Sequence, residues 1–392
     1  MATRPRLQAA DLRGAARLAV DATAGLTDLI EAVHARIARV PGLGATPADN
    51  RSGGISGLIY KTVRGVTRLV GGSVDALLAL LAPLLGTAAD TPRSAEREAV
   101  VAALNGVLGD HLAATNNPLA IPMTLRGNGA VVQPDRASLA QPLPAAGPRL
   151  VVLLHGLCMN DLQWSREGHD HGAALARECG YTPVYLQYNS GLAVATNGRA
   201  LAVQLERLIA AWPVPLERIV LLGHSMGGLV ARSALHFGAE RLVRVSDLVC
   251  LGTPHHGAPL ERAGHWIDVV LGATPYAAPF ARLGRVRSAG ITDLRHGRVV
   301  DDDDPARPRH LPLPDTLRCF AIAASLGEGA GNIKERLLGD GLVPLDSALG
   351  RHKTPARTLA FAEDRQWIAN GVNHLDLLSS AEVFAQLKQW LN

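Results

Sequence analysis

The chain has 392 residues, of which 47% are hydrophobic and 19% are charged, so it can bury a full core and still carry a second region. The formal net charge is +4, the basic residues are spread along the chain, and aromatic residues make up only 4% of it. Neither a basic stripe nor a base-stacking surface stands out, which argues against nucleic acid as a partner.

Residues 1–117 are predicted to form a helical N-terminal region. Apolar side chains recur there at helical spacing in three stripes, which cover residues 12–37, 55–85 and 100–112. Three basic residues lie opposite the second stripe: Lys61, Arg64 and Arg68. This pattern is typical of helices on a membrane surface, but it is found more often in helices that pack on a protein core. Peripheral membrane contact through these helices is one hypothesis, and packing on protein is the favoured one.

The start of the chain does not resemble a secretory signal, because charged residues such as Arg4, Arg6 and Asp11 interrupt it. The longest uncharged apolar segment lies between Asp75 and Asp90 and is shorter than the roughly 20 residues of a spanning helix. The four cysteines are widely separated, so buried thiols in a reducing compartment are favoured over disulfides. These features predict a cytoplasmic location.

Residues 118–148 separate the helical region from the rest of the chain. Ile121 to Val132 contains the turn Gly127-Asn128-Gly129 between two short apolar runs, which predicts a hairpin. The following stretch, from Gln133 to Pro148, is rich in proline and alanine and is typical of a linker.

From residue 149 to residue 392, buried strand-like runs alternate with helical patterns. The predicted strands are Leu150–Leu154, Pro183–Tyr188, Ile219–Leu222, Leu248–Leu251, Leu317–Ala323 and Thr358–Ala362. The predicted helices are Gly172–Glu178, Leu201–Ala211, Gly227–Phe237 and Ala381–Leu391. The alternation predicts an α/β fold, with a mostly parallel sheet covered by helices on both faces. Residues 257–314 are too many for a plain connection and are predicted to form an insertion that acts as a lid or cap.

The strongest chemical signal is the sequence Gly223-His224-Ser225-Met226-Gly227. It follows an apolar run of strand length and precedes an apolar helix face, which is the strand-turn-helix context that a G-x-S-x-G motif requires. Such a turn presents the serine hydroxyl at the corner and leaves the next backbone N–H free to stabilise an oxyanion. The pattern predicts Ser225 as a nucleophile and Met226 as an oxyanion donor.

A serine hydroxyl needs a base, usually a histidine that is oriented by a carboxylate. Asp340 and His374 follow Ser225 in the chain order Ser, Asp, His, and each comes after one of the late predicted strands. They are the predicted acid and base. Asp346 lies close to Asp340 and stays an alternative acid, whereas the run Asp301–Asp304 is more typical of a solvated loop.

A second oxyanion donor is expected in the loop after the first parallel strand. Here the strand is followed by His155-Gly156-Leu157, and Gly156 allows a turn in which the N–H of Leu157 faces the serine. His155 is interpreted as a structural residue that is hydrogen-bonded within the loop.

Five motifs together resemble the bacterial lipase and esterase branch of the α/β-hydrolase family, and are also similar to the GPI inositol-deacylase-like hydrolases: H-G-L, G-H-S-M-G-G, G-T-P-H-H-G, G-D-G-L-V-P and N-H-L-D. The resemblance runs from about residue 149 to the C-terminus. It implies Ser225 as nucleophile, Asp340 as acid and His374 as base. It also implies Leu157 and Met226 as oxyanion donors, and a lid that begins after G-T-P-H-H-G.

This sequence departs from that family in two features. The family's lipases are generally secreted, whereas no signal is recognised here, and many of them bind a structural calcium ion near the catalytic histidine. Asp376 matches one ligand position of that calcium site, but calcium requires six to eight oxygen ligands, so no metal is predicted.

The predicted function is hydrolysis of a small-molecule or lipid carboxylic ester through an acyl-enzyme, without a cofactor. Acyl transfer and thioester hydrolysis are alternative functions, because the same catalytic residues serve these reactions and the substrate pocket determines specificity. A third hypothesis is a lipid-surface protein in which the helical region is functional and the hydrolase domain is secondary.

Overall fold

The computed structural model describes residues 95–139, 143–258, 288–301, 310–327 and 339–392, together with Arg13, Gly14 and Arg17. The first two helical stripes and the apolar stretch of the insertion, residues 259–287, lie outside these residues. The chain divides into two compact units, one of Met1–Arg97 and Leu112–Ala120, the other of Glu98–His111 and Ile121–Asn392. In the smaller unit, Asn117 Nδ2 donates to the Gly14 carbonyl at 3.0 Å.

The larger unit contains an eight-stranded sheet in the order β2-β1-β4-β3-β5-β6-β7-β8. The strands are β1 Thr124–Gly127, β2 Ala130–Val132, β3 Arg149–Leu154, β4 Tyr181–Gln187, β5 Arg218–His224, β6 Asp247–Leu251, β7 Arg318–Ser325 and β8 Gln366–Asn370. Strand β1 runs antiparallel to β2 and to β4, whereas the six strands from β4 to β8 in the sheet order are parallel to one another. The predicted hairpin and the predicted parallel sheet are both confirmed.

The central strands are continuous apolar runs because helices cover both of their faces. Every residue of β6 is buried, and so are the last five residues of β3 and the last six of β5. The helices among the described residues are α1 Ala95–Ala114, α2 Arg136–Leu139, α3 His171–Cys179, α4 Val194–Ala211, α5 Met226–Phe237, α6 Ala289–His296, α7 Leu345–Ala348 and α8 Ala381–Leu391. Within this part of the chain, no helix is long and apolar enough to cross a membrane.

The prediction of a last strand at Thr358–Ala362 is wrong. That segment lies between single turns of 3-10 helix at Pro355–Arg357 and Glu363–Arg365, and the last strand is β8. Leu359 and Phe361 are buried, so they gave the apolar alternation that suggested a strand. Strand β8 lies at the edge of the sheet and pairs only with β7, so it does not need a continuous apolar run.

Helix α1 confirms the third predicted stripe, and most of it belongs to the larger unit. A Cβ on Gly106 would overlap Cys158, and a Cβ on Gly109 would overlap Asn189. The Asn189 amide donates to the Gly109 carbonyl at 2.8 Å. The helix therefore packs at close range on loops of the sheet unit, although the sequence boundary at residue 117 assigned it to the N-terminal region. Hydrophobic periodicity does not detect this packing, because small residues make it.

Candidate active site

The turn between β5 and α5 holds Ser225 in an uncommon backbone conformation, with φ 53° and ψ −121°. A Cβ at Gly223 would overlap the backbone of Gly228, and a Cβ at Gly227 would overlap the carbonyl of Leu154. The two glycines of G-x-S-x-G are thus required because strand and helix pack here without room for side chains. The predicted strand-turn-helix context of Ser225 is confirmed.

Asp340 and His374 are in direct contact. The His374 Nδ1 donates to Asp340 Oδ2 at 2.6 Å, and both residues are buried. The other carboxylate oxygen, Oδ1, accepts the N–H groups of Leu342 at 2.9 Å and Val343 at 2.7 Å. The carboxylate is therefore fixed by its own loop, and it sets the imidazole tautomer in which Nε2 is free to accept a proton.

His374 lies beside the turn that carries Ser225. The Nε2 of His224 donates to the His374 carbonyl at 3.0 Å, and the two imidazole rings are 4.8 Å apart between centroids. Burial lowers the pKa of His224 well below its usual value, which keeps that ring neutral. No hydrogen bond joins Ser225 Oγ to His374 itself, although both are described residues. Such catalytic hydrogen bonds often form only when substrate binds.

The two predicted oxyanion donors belong to Met226, which follows Ser225 in the chain, and to Leu157, which follows a glycine close to Ser225. Met226 is the first residue of α5, so its N–H has no acceptor within the helix. Leu157 follows Gly156, and a Cβ built on Gly156 would lie 3.1 Å from the Cβ of Ser225. The Leu157 N–H has no acceptor among the described residues. Both N–H groups are therefore available to a ligand oxygen.

Hydrogen bonds fix the loop that carries Leu157. The next residue, Cys158, has φ 59°, and its N–H donates to Ser190 Oγ at 3.0 Å. His155 Nδ1 donates to the Gly156 carbonyl at 2.8 Å, and its ring stacks on Tyr188 with centroids 4.2 Å apart. Burial lowers the pKa of His155 to about 4, so it is neutral at physiological pH. The structural role predicted for His155 is confirmed.

Neither Asp346 nor Asp301 forms a hydrogen bond with His374, whose carboxylate partner is Asp340. Asp346 lies in the first turn of α7. Asp301 pairs with Arg199, while residues 302–304 lie outside the described part of the chain. Asp376 Oδ1 is 3.4 Å from Arg166 Nη2, an arrangement that does not suit a calcium ligand. Within the described ranges, no group of three or more His, Cys, Asp or Glu side chains could hold a metal ion.

Sequence reasoning missed two residues that position this site. Gly252 follows β6 with φ 56°, and a Cβ built on it would lie 3.1 Å from His374 Nδ1. Gly252 therefore allows the imidazole to approach the sheet. Its place in the motif G-T-P-H-H-G is the sequence signal that could have identified it. Ser190 holds the loop of Leu157 from another strand connection, and no local pattern marks that long-range contact.

The parallel sheet, the helices on it and the turn at Ser225 define an α/β-hydrolase fold. Residues 147–323 match the family described as PGAP1-like alpha/beta domain, which confirms the resemblance expected from the motifs. The matched region includes Leu157, Ser225 and Met226, whereas Asp340 and His374 follow it.

Several solved structures are similar to this chain. The mature lipase BlEst2 of Bacillus licheniformis is 21% identical, with 64% of this chain and 93% of that chain covered and a TM-score of 0.42. An esterase of Pyrococcus furiosus is 14% identical, with coverage of 63% and 81% and a TM-score of 0.39. A putative aryl esterase of Burkholderia cenocepacia is 14% identical, with coverage of 69% and 93% and a TM-score of 0.37. The comparison with curated proteins gives no match.

Proposed function

We propose that the protein is a serine hydrolase that cleaves carboxylic esters, with Ser225 as nucleophile, His374 as base and Asp340 as the acid that orients His374. The observation that carries the proposal is the 2.6 Å bond between His374 Nδ1 and Asp340 Oδ2 beside the turn of Ser225. Nothing in an ordinary core requires a strained serine, a buried imidazole and a buried carboxylate in one place, whereas acyl transfer requires all three.

The reaction has two steps. His374 takes the proton of Ser225 while Oγ attacks the ester carbonyl, and the N–H groups of Leu157 and Met226 stabilise the oxyanion. The alcohol leaves with the proton that His374 returns, and an acyl-enzyme remains. A water molecule, deprotonated by His374, then attacks the acyl group, the bond to Ser225 Oγ breaks, and His374 returns the proton to Oγ as the acid leaves. None of these steps draws on a cofactor.

A fluorophosphonate probe tests the nucleophile, and peptide mass spectrometry locates the label. Label on Ser225 is expected in the wild type, and neither Ser225→Ala nor His374→Ala should carry it. Ser165→Ala and His236→Ala change exposed residues of the same types and should label like the wild type. Unlabelled Ser225 in folded wild-type protein would contradict the proposal.

Ester hydrolysis tests the rest of the site. A series of p-nitrophenyl esters measures kcat, and Asp340→Asn should lower it by a factor on the order of 10⁴, because the imidazole loses its correct tautomer. A change in KM with kcat unchanged would mean that Asp340 does not orient the base. Product analysis with an added alcohol distinguishes hydrolysis from acyl transfer to that alcohol.

A further inference from the structure

A polar cavity lies apart from Ser225, between α5 and the loops that follow β6, α6 and α7. Its volume is about 130 Å³, and the residues that line it include two arginines and five histidines: Arg232, Arg357, His255, His256, His296, His310 and His352. Among the residues that the structure describes, no carboxylate lines it. Arg232 lies seven residues after Ser225 on α5, which corresponds to about 10 Å along the helix axis. The cavity is therefore separate from the proposed active site.

Arg232 is a buried cation without a carboxylate partner among the described residues. Its side chain is almost fully buried, with 3% relative exposure. Nη1 donates to His255 Nδ1 at 3.3 Å, Nη2 donates to the Leu311 carbonyl, and Nε has no partner. Burial lowers the pKa of Arg232 to about 10, so the guanidinium still carries its charge at neutral pH. A buried charge of this kind is costly unless an opposite charge accompanies it.

The neighbouring histidines add unused donors. Because His255 Nδ1 accepts from Arg232, the ring proton of His255 lies on Nε2, and this buried atom also has no partner. His352 Nδ1 accepts the N–H of Thr354 at 3.0 Å, which likewise places the His352 proton on Nε2. The cavity therefore combines a positive charge with N–H donors that have no acceptor among the described residues.

We propose that this cavity binds a small tetrahedral oxyanion such as phosphate, with Arg232 and His255 at its buried end and Arg357 at its rim. The Arg232 charge and the histidine N–H donors match a negatively charged hydrogen-bond acceptor, and charge-assisted hydrogen bonds to an oxyanion are strong. The volume is well below the roughly 300–1,000 Å³ of pockets for drug-sized ligands, so the ligand is a free anion or a single phosphoryl group. Arg357 and part of His352 are exposed, which gives the anion a way in.

Thermal unfolding of the full chain tests this site, with inorganic phosphate titrated against chloride at constant ionic strength. Phosphate should raise the unfolding midpoint in a saturable way, because it binds only the folded state. Arg357→Met removes one exposed charge at the rim and should weaken the apparent affinity about tenfold. Arg207→Met changes an exposed arginine of α4 and should respond like the wild type.

Arg232→Met should abolish the phosphate response, and circular dichroism checks that this variant is folded. Equal responses in the wild type, Arg207→Met and Arg357→Met would overturn the proposal, and so would the lack of a phosphate-specific rise in the unfolding midpoint.

A parallel titration with glycerol phosphate distinguishes the two sources of the anion. A stronger Arg357-dependent response to glycerol phosphate than to phosphate would support a phosphate ester as the ligand, whereas a weaker one would support the free anion.

Discussion

Ser225 has φ 53° and ψ −121°, a conformation that residues with a Cβ adopt at a steric cost. The turn accepts this cost because it places the hydroxyl at the strand-to-helix corner. The proposed nucleophile and the backbone strain therefore belong to the same residue. Substitutions that remove the hydroxyl allow the effect of the strain on stability to be measured by itself.

Ser225→Gly and Ser225→Ala both remove the nucleophile, but only glycine adopts this backbone without steric conflict. We expect the free energy of unfolding of the glycine variant to exceed that of the alanine variant by about 1 kcal/mol. Urea denaturation measures the difference. Ser165→Gly and Ser165→Ala are the matched pair at a residue with φ −83°. Here the glycine variant should be the less stable one, because glycine only adds entropy to the unfolded chain. The same order at both positions would mean that the Ser225 turn is not strained.

Most of helix α1 belongs to the sheet unit, and its glycines allow close approach. Gly106 lies against Cys158, which follows Leu157, the residue proposed as an oxyanion donor, and Ser288 Oγ donates to the Gly106 carbonyl at 2.7 Å. The helix thus packs directly behind the loop that carries one proposed oxyanion donor.

Gly106→Ala tests that packing. Helix propensity alone predicts a gain of roughly 1 kcal/mol, but the new methyl group would overlap Cys158, so we expect a net loss of about 1–3 kcal/mol. The turnover of an ester substrate should fall as well, because Cys158 and Leu157 shift together. Cys158→Gly suits the positive φ at that position and should recover part of the loss in the double variant. A stabilised Gly106→Ala variant with full activity would contradict this packing.

The sequence predicts the strands of the central sheet and the turn at Ser225 well, since buried parallel strands are continuous apolar runs and the motif has a fixed geometry. It fails at β8, because Leu359 and Phe361 imitate a strand while the real edge strand is less apolar. It shortens α4, because Asn197 and Gly198 weaken the helical pattern near its start. Gly198 is required there by the close approach of Ser233 on α5, a contact that only the folded chain reveals.

At the scale of the whole molecule, buried histidines make folding depend on pH. Burial lowers the pKa of His155 and of His171 to about 4, from a usual value of 6.5. Between these two values the unfolded chain binds more protons than the folded chain, so stability decreases as the pH falls. The contribution of each histidine to the free energy of unfolding is complete above pH 6.5 and disappears towards pH 4. It amounts to about 3 kcal/mol at most for each histidine.

Urea denaturation at neutral pH and near pH 5 measures this effect, and the unfolding midpoint should be lower at the acidic pH. His171→Asn removes one buried imidazole, so it should reduce the pH dependence even if it lowers stability at neutral pH. His111→Asn changes an exposed histidine and should keep the wild-type dependence. An identical pH slope in all three proteins would mean that His171 does not contribute.

The four cysteines are free and buried, as expected from their spacing. Burial raises the pKa of Cys158, Cys250 and Cys319 to about 12, so almost no reactive thiolate exists in the native state. Alkylating reagents therefore reach these sulfur atoms only when the surrounding structure opens. Because Cys158 lies in the loop after β3 and Cys250 and Cys319 lie in β6 and β7, the rate of modification at each position reports the free energy of local opening there. The chain thus carries its own set of chemical probes for the separate opening of this loop and of the central sheet.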